Sequence, residues 1–470
     1  MDHRRVAAQA REWTLTARAQ SRLTSYEALL DAFGLATAEG KALMRLAEAL
    51  LRTPDQTTAW QLLCENLCDA EWRPPRTARL AARIAAGVLR GTAHLVDRHE
   101  ERLAAFARPI VRAARFGIAR AADHFVVADS VPAALARMRH HRALRLCSID
   151  CLGESARTAE QAQQYFESYE QAIAQLANQA APSLHLRHGI SVKLSALESR
   201  FGPRHRGTYA AHLIPKVINL ARAAAIANIG LTIDAEEQDR LESTLDVVTA
   251  LINDSTTREW EGLGLAVQAY GLRALQVIEW LSTNASRQGR RITVRLVKGA
   301  YWDSEIKRGH ERGLDAFPVF TDKRATDVNY LLAAQHLFAR CGVIFPQFAT
   351  HNAMTVASIR ALAPPRAAFE FQRLHGMGEQ LYRVASKTEG FPQLRVYAPV
   401  GSRQDLLAYL IRRLLENGAN SSFVRHFLDP AMPIDALLED PIDSLTARPP
   451  RTNQSGEQCD HARAQGAGSK

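Results

Sequence analysis

The chain has 470 residues, of which 47% are hydrophobic, and 59 basic against 49 acidic side chains give it a net charge of +10. It contains no run of about 18 apolar residues and its start lacks the apolar core of a signal peptide, so neither a membrane span nor secretion is expected. The six cysteines form no Cys-x-x-Cys pair, which argues against a zinc ribbon or a disulfide framework. We expect a cytoplasmic protein whose positive charge would suit an anionic partner such as nucleic acid, acidic lipid or a phosphate-bearing cofactor. The alternative is that this charge, which is spread along the chain, belongs to an ordinary solvated surface.

The first quarter of the chain has the pattern of helices. Apolar residues recur at helical spacing in residues 42–52, and Pro54 ends that pattern. A second Ala/Arg/Leu-rich stretch covers residues 77–90. Because no catalytic pattern is present, residues 1–125 are predicted to be a helical arm packed against the following domain.

From about residue 140, short β-rich runs alternate with amphipathic helical stretches. The runs are residues 146–152, 189–194, 230–235, 263–270, 292–298, 343–351, 367–372 and 394–399. Strands that alternate with helices indicate parallel βαβ units, and eight of them predict a closed (β/α)8 barrel of the TIM type. An open doubly wound sheet is the alternative, but no strand is followed by GxGxxG.

Each of the eight runs carries a polar or hydrogen-bonding residue near its end. In chain order these are Asp150, Lys193, Asp234, Gln268, Lys298, His351, Gln372 and Tyr397. Active sites of such barrels are built at the carboxyl ends of the strands, so these side chains are predicted to surround one mouth.

The stretch ITVRLVKGAYWD, residues 292–303, stands out among these runs. It places the cations Arg295 and Lys298 in a hydrophobic strand, where an unpaired charge would be costly. Gly299 then permits a turn, and Tyr301 and Trp302 follow. This pattern indicates the floor of a site for a large, flat, anionic ligand; the alternative is an ordinary core strand with a surface lysine.

A helix over residues 402–418 is the second key element. Its leucines and Ile411 share one face, while Arg412, Arg413 and Glu416 share another. Two adjacent arginines could hold a carboxylate at the barrel mouth. The alternative is a solvated face with an ordinary ion pair between neighbouring turns.

Two further segments follow the sixth and seventh runs. The segment QFATHN ends in a hydroxyl, an imidazole and an amide, from Thr350, His351 and Asn352. These groups suit contacts with phosphate or flavin. Gln372 and two glycines lie in FEFQRLHGMGE. No set of histidines and carboxylates has the spacing of metal ligands, so no metal is expected. The sequence also contains no recognisable nucleophile-elbow motif.

After about residue 433 the apolar periodicity is lost. Residues 126–430 are therefore assigned to the barrel, and residues 431–470 to a linker and a disordered tail.

These segments together resemble the proline dehydrogenase domain of the proline utilization A (PutA) family. The motifs that carry the resemblance are VKLSAL (192–197), TIDAEE (232–237), RLVKGAYWD (295–303), FATHN (348–352), FEFQRLHGMGE (369–379), VYAPVG (396–401) and YLIRRLLENGAN (409–420). The resemblance implies a distorted (β/α)8 barrel that holds FAD non-covalently, preceded by a helical arm. It also implies oxidation of L-proline to Δ1-pyrroline-5-carboxylate, with a hydride passing to the flavin and electrons passing to quinone.

Site residues follow from the same resemblance. Those implied at the substrate are Lys193, Asp234, Tyr301, Leu374, Tyr397, Arg412, Arg413 and Glu416, with Glu154 in CSIDCLGE as a gate that pairs with the first arginine. Those implied at FAD are Gln268, Arg295, Lys298, Gly299, Trp302, Thr350, His351, Asn352 and Gln372. The arginines and Lys193 would hold the proline carboxylate, and Arg295 would stabilise reduced flavin; no general base is identified.

The resemblance also carries expectations about partners. Family members usually continue into an aldehyde dehydrogenase domain, for which the roughly 30 residues after the segment DPAMPIDALLEDP leave no room. We therefore expect a separate pyrroline-5-carboxylate dehydrogenase, or a truncated chain. A quinone acceptor implies peripheral contact with the inner face of the membrane, and the lack of a ribbon–helix–helix segment predicts no nucleic-acid partner.

Two other functions stay open at this point. One is a Schiff-base lyase on the same barrel, using Lys193 or Lys298 at a strand end. The other is a truncated scaffold without catalytic activity.

Overall fold

The computed structural model describes residues 2–20, 53, 55–68, 125–179, 181, 183–401 and 432–446, with a few single positions between 87 and 112. The predicted helices at 42–52 and 402–418 lie outside this set, as does nearly all of the one at 77–90. Within residues 2–112, the regular structure that is described is helical.

Eight parallel strands close into a barrel in chain order, which confirms the predicted (β/α)8 architecture. The strands are β1 (Cys147–Cys151), β2 (Gly189–Val192), β3 (Leu231–Ile233), β4 (Leu263–Gln268), β5 (Ile292–Val297), β6 (Ile344–Ala349), β7 (Glu370–Leu374) and β8 (Gln393–Val400). The barrel closes where Cys147 of β1 pairs with Val396 of β8.

Helices cover the outside of the barrel and its ends. They are α1 (His3–Gln20), α2 (Gln56–Cys68), α3 (Val131–His140), α4 (Ala159–Leu176), α5 (Leu194–Leu197), α6 (Arg206–Ile226), α7 (Leu241–Asn253), α8 (Ala274–Arg287), α9 (Trp302–Glu311), α10 (Lys323–Phe338), α11 (Ala353–Leu362), α12 (Glu379–Ala385), α13 (Ile434–Leu437) and α14 (Pro441–Thr446). No helix formed by the described residues combines the length and the apolar character that a bilayer span requires.

Strand β5 shows how the two-residue period of a strand separates core from lumen. Ile292, Val294 and Leu296 are almost fully buried in the hydrophobic core. Arg295, on the opposite face, reaches side chains that follow or belong to β1, β2 and β3. Because these strands are not neighbours of β5, the contacts cross the barrel interior.

A buried ion pair fills the amino-terminal end of the barrel. Arg395 of β8 donates from Nε to Oε1 of Glu370 in β7 over 2.6 Å. Its other nitrogens donate to the carbonyl oxygens of Cys147, Arg187 and His185 at 3.2, 2.7 and 2.8 Å. With its guanidinium and the carboxylate both bonded, the pair avoids the cost of an isolated buried charge.

The first helix packs on the outside of the barrel. Trp13 of α1 donates to Thr388 Oγ1 over 3.1 Å and meets the ring of Phe391 edge-on. Arg18 donates to the carbonyl oxygen of Met432 over 3.0 Å, and His3 contacts Asp440 over 2.6 Å. Helix α1 thus joins the barrel to residues 432–446.

Those last described residues differ from the linker that their sequence suggests, because they form the short helices α13 and α14. Arg324 of α10 donates to the carbonyl oxygen of Ser444 over 2.8 Å, which fixes α14 against the barrel.

The seventh strand begins later than its apolar run, at Glu370, because a turn precedes it in which Ala367 N donates to the carbonyl oxygen of Pro364. The predicted domain boundaries stay predictions.

Candidate active site

A cavity of about 660 Å³ lies at the carboxyl ends of the strands. All eight polar residues that end the predicted runs line it, from Asp150 of β1 round to Tyr397 of β8. This is the end of a (β/α)8 barrel at which loops and strand ends form active sites. Among the described residues, no His, Cys, Asp or Glu group is arranged to hold a metal ion.

One part of the cavity is lined by a buried cluster of charged groups around Lys193. Its ammonium pairs with Asp150 and lies 3.4 Å from Oδ2 of Asp234. It also donates to the hydroxyl of Tyr397 over 3.2 Å, and that hydroxyl donates to Asp234. Lys193 directly follows β2 and Asp234 directly follows β3, so adjacent strand ends bring the opposite charges together.

Arg295 completes this cluster from the opposite side of the barrel. Its Nη1 donates to Oδ1 of Asp234 over 2.6 Å, and its Nη2 donates to the hydroxyls of Ser148 and Ser191 at 3.1 and 2.9 Å. The guanidinium lies 5.2 Å from the centre of the Tyr397 ring. Arg295 is only 3% exposed, so these contacts fix it in one orientation.

Burial and neighbouring charge shift the pKa values of this cluster. Burial alone would lower the pKa of Lys193, but Asp150, Tyr397 and Asp234 together raise it well above its ordinary value. Burial, with the two aspartates, raises the pKa of Tyr397 well above 10. The lysine is therefore held as an ammonium that can bind an anion, and the tyrosine as a neutral hydroxyl.

A second group of cations lies on the wall formed after β5. Lys298 pairs with Asp327. Lys323 lies 4.4 Å from the centre of the Trp302 ring, and the indole nitrogen of Trp302 donates to the carbonyl oxygen of Phe320 over 2.7 Å. An aromatic surface flanked by lysines suits a ligand that is both flat and anionic.

Gly299 makes the turn between these two parts of the cavity possible. Its φ is +133°, and a Cβ built on it would lie 2.3 Å from the ring of Tyr270. A side chain at this position would be strained, since the backbone conformation and the adjacent ring both disfavour it. The turn directs Tyr301 and Trp302 towards the cavity, which both of them line.

Histidine and amide groups form the wall after β6 and β7. The backbone N–H of Leu374 donates to Nε2 of His351 over 3.0 Å, which orients the imidazole. Gly378, with φ +66°, passes so close that a Cβ would lie 2.9 Å from this ring. Asn352 caps α11 by accepting from Thr355 N over 3.0 Å, and Asn352 N donates to Oγ1 of Thr350 over 3.2 Å.

Several buried polar atoms on the cavity wall have no hydrogen-bond partner among the described residues. They are Asp150 Oδ2, Tyr270 OH, Arg295 Nε, Thr326 Oγ1 and Gln372 Oε1. Buried polar groups are nearly always hydrogen-bonded in folded proteins, so such a concentration at one cavity indicates a polar ligand.

The structure brings together most of the residues that the sequence analysis assigns to the site. Those that line the cavity are Lys193, Asp234, Gln268, Arg295, Lys298, Gly299, Tyr301, Trp302, Thr350, His351, Asn352, Gln372, Leu374 and Tyr397. Glu154 is half-buried in the loop after β1, outside the cavity lining. Arg412, Arg413 and Glu416 lie outside the described residues. The individual role of each residue stays a prediction.

Sequence reasoning missed three groups of residues, of which the first supports the site without lining the cavity and the other two line it. Ser148 and Ser191 support Arg295, and each lies two positions before a charged strand-end residue, so the two-residue period of a strand could have identified them. Lys323 begins α10 after a long loop, and Leu437 and Ser444 come from the segment read as a linker. Nothing in their local sequence indicates a site.

Comparison with known proteins identifies related sequences over nearly the whole chain. Residues 134–426 match the family model described as "Proline dehydrogenase". Residues 25–128 match a second model, described as "DNA-binding domain of Proline dehydrogenase".

Curated relatives include the bifunctional protein PutA of Salmonella typhimurium and that of Escherichia coli. Each is 40% identical to this chain, over 460 and 462 residues. Each match covers 93% of this chain but 35% of the relative, so the chain spans about a third of their length. Proline dehydrogenase 1 of Bacillus subtilis is 29% identical over 316 residues, which is 66% of this chain and 91% of that protein.

Solved structures show the same relationship. A PutA variant from Bradyrhizobium japonicum matches with a TM-score of 0.75 and 43% identity, covering 94% of this chain and 46% of that one. PutA from Bdellovibrio bacteriovorus inactivated by N-propargylglycine matches with a TM-score of 0.77 and 25% identity, over 95% and 45% of the two chains. Since the first family model covers the barrel and more than half of the sequence, the chain belongs to the proline dehydrogenase family.

Proposed function

We propose that this chain oxidises L-proline to Δ1-pyrroline-5-carboxylate with FAD as its cofactor. The observation that carries the proposal is the pair of buried cations, Lys193 and Arg295, which two aspartates hold at the mouth of a proline dehydrogenase barrel. One cation is available to an anionic substrate and the other supports the floor of the cavity.

The volume, the unpartnered polar atoms and the lysines of the cavity support FAD as its ligand. Its volume of about 660 Å³ lies in the range of cofactor sites. The unpartnered oxygens of Gln372 and Thr326 offer polar contacts, and Lys298 and Lys323 offer charge for a diphosphate. When bound, FAD would supply the acceptor for a hydride from the carbon next to the proline nitrogen.

The residues of the chain would position the substrate. Lys193, with Arg412 and Arg413, would hold the carboxylate, an orientation effect that raises the rate without a covalent step. Tyr397, Leu374 and Tyr301 would enclose the apolar ring, and Tyr397 would crowd a ring hydroxyl. Glu416 would orient the amine or the arginines, and Glu154 would pair with Arg412 as a gate.

The cavity wall would position the cofactor. Gln268, Arg295, Lys298, Gly299, Trp302, Thr350, His351, Asn352 and Gln372 are proposed to contact FAD. Arg295 is held beside the cavity by Asp234, Ser148 and Ser191, so it could stabilise negative charge without first reorganising.

The geometry disfavours the two alternative functions. A Schiff-base lyase needs a neutral amine, whereas the raised pKa of Lys193 keeps it protonated and Lys298 is paired with Asp327. A scaffold without activity has no need of a cavity lined by buried charges and unpartnered polar atoms. Such groups reduce the stability of the fold unless a ligand bonds to them.

The partners proposed for this chain follow from its resemblance to the proline dehydrogenase family. We expect electrons to leave to a quinone, with peripheral contact at the inner face of the membrane, and the protein otherwise to be cytoplasmic. A pyrroline-5-carboxylate dehydrogenase site outside these 470 residues would oxidise the product further. The absence of a nucleic-acid partner stays a prediction.

The test begins with the spectrum of the purified protein. Flavin absorbance, bleached anaerobically by proline, is expected, and o-aminobenzaldehyde should trap the imine product when a quinone analogue is the acceptor. A colourless protein that borohydride joins covalently to an aldehyde or ketone substrate would instead support the lyase.

A further inference from the structure

We propose that Asp150 is a positioning residue that keeps Lys193 charged and directed into the cavity, where it binds the carboxylate of the substrate. This inference rests on the proposed function for the identity of the substrate, but its structural basis is independent of that identity. The sequence predicts that Asp150 lies at the barrel mouth, but the family resemblance assigns it no role.

The contacts of Asp150 are almost entirely committed to Lys193. The carboxylate is fully buried within β1, and its Oδ1 pairs with the Lys193 ammonium. Its Oδ2 has no hydrogen-bond partner among the described residues. A buried carboxylate with so few donors depends on its counter-ion, and Lys193, at 7% exposed, depends on Asp150 in turn.

The other groups around Lys193 do not replace Asp150. Asp234 lies 3.4 Å from the ammonium, but it is already bonded to Arg295 and to the Tyr397 hydroxyl. The Tyr397 and Tyr169 hydroxyls also face Lys193, the latter accepting from Lys193 N over 3.2 Å.

One further neighbour is a thiol. Burial raises the pKa of Cys151 to about 12, so this thiol carries no charge in the neutral range. Together with Arg295, the cluster contains two basic and two acidic side chains. Burial raises the pKa of Asp150, and the charge of Lys193 opposes that rise. Removing the charge of Asp150 leaves Asp234 shared between two cations, in a site where burial already opposes the ammonium.

An experiment can follow the charge of Lys193 directly. The protein, as isolated with its bound cofactor, is labelled with trace acetic anhydride between pH 7 and 11, and the extent of labelling at each lysine is measured by mass spectrometry. Only the neutral amine reacts. Lys387, which is exposed on the barrel surface, is the internal reference.

We expect Lys193 of the wild type to react at least tenfold less than Lys387 at every pH up to 10. In Asp150→Asn, half-maximal labelling of Lys193 should shift to lower pH by one unit or more. The KM for proline should then rise with pH over this shifted range, with a smaller change in kcat. Asp150→Glu restores the charge and should move the profile back towards the wild type.

Two results would overturn the proposal. One is an unchanged labelling profile of Lys193 in a folded Asp150→Asn protein. The other, measurable even if both variants fail to fold, is ordinary lysine reactivity of Lys193 in the wild type. Failure of the proposed function is a separate result, since a wild type that does not oxidise proline would leave the labelling data interpretable.

Discussion

Asp234 and Arg295 meet across the barrel interior, with Oδ1 and Nη1 2.6 Å apart, although they come from strand ends that are not adjacent. The same carboxylate also accepts from Tyr397 and lies near Lys193. Asp234 therefore connects the cation proposed to support the cofactor with the cation proposed to bind the substrate. A change at either cation should therefore alter the electrostatic environment of the other cation through this carboxylate.

The first prediction concerns Arg295. Arg295→Met should lower the ratio of flavin to protein and make the remaining flavin harder to reduce, because a buried cation beside the cavity is lost. Flavin content and reductive titration measure both effects. Arg290→Met is the matched control, since Arg290 is equally buried at 3% exposed but bonds only to carbonyl oxygens and a hydroxyl near α7, away from the cavity. Equal flavin loss in both variants would show that Arg295 acts only through stability.

The second prediction concerns the turn at Gly299. Gly299→Ala should reduce the free energy of unfolding by about 3 kcal/mol, since it combines a strained φ of +133° with a Cβ 2.3 Å from the Tyr270 ring. Gly313→Ala, at φ +60° with no atom within 4 Å of the added carbon, should cost only about 1 kcal/mol. Denaturant titration measures the difference, and equal losses would mean that the contact with Tyr270 is relieved at little cost.

The third prediction concerns stability at acid pH. Burial and Arg395 lower the pKa of His188 from 6.5 to about 4, and its Nδ1 accepts from Cys147 N over 3.0 Å. Between these pH values the unfolded chain binds a proton that the folded chain does not. The free energy of unfolding should therefore fall as pH drops through this window, by up to about 1.4 kcal/mol per pH unit from this group.

His188→Gln should remove that part of the slope, because glutamine can accept the same hydrogen bond and does not titrate. His212→Gln, at an exposed position on α6, serves as the control. Denaturant titrations at pH 4.5 and 7 compare the three proteins. The same slope in His188→Gln and wild type would exclude His188 as its source.

The fourth prediction concerns the arginines that lie outside the described residues. Arg412→Met or Arg413→Met should raise the KM for proline by roughly 30-fold or more while flavin stays bound, as expected for about 2 kcal/mol or more from a charge-assisted bidentate contact. Arg383→Met, on the exposed side of α12, is the control. Normal proline affinity in both variants would place the carboxylate contact elsewhere.

The barrel itself could be predicted from the sequence because each strand is a compact apolar run that ends in a polar residue. Residues 292–298 illustrate this, since the alternation of apolar residues and the positions of Arg295 and Lys298 can both be read from the sequence. The strand-end residues converge on one cavity for the same reason: parallel strands of a closed barrel end at one rim.

Other parts of the site depend on contacts between distant segments. The ion pair of Asp150 with Lys193 and the hydrogen bond of Arg295 with Ser148 join residues that are far apart in the sequence. The hydrophobic periodicity of a segment therefore cannot predict them. Leu437 and Ser444 line the cavity because α10 holds their segment in place, through Arg324. Their own segment is too short and too polar for its sequence pattern to predict a helix.

The ion pair of Arg395 and Glu370 has a consequence for how the chain reaches this fold. Arg395 contacts β7 through Glu370, β1 through Cys147 and the segment before β2 through His185, so it touches both sides of the seam at which the last strand joins the first. If β8 were to dock one residue out of step, its side chains would exchange faces. Glu370 would then lose its counter-ion and keep only the hydrogen bonds that Gln347 and Gln372 donate to it. The pair therefore favours the native register of β8 over closures that are shifted by one residue.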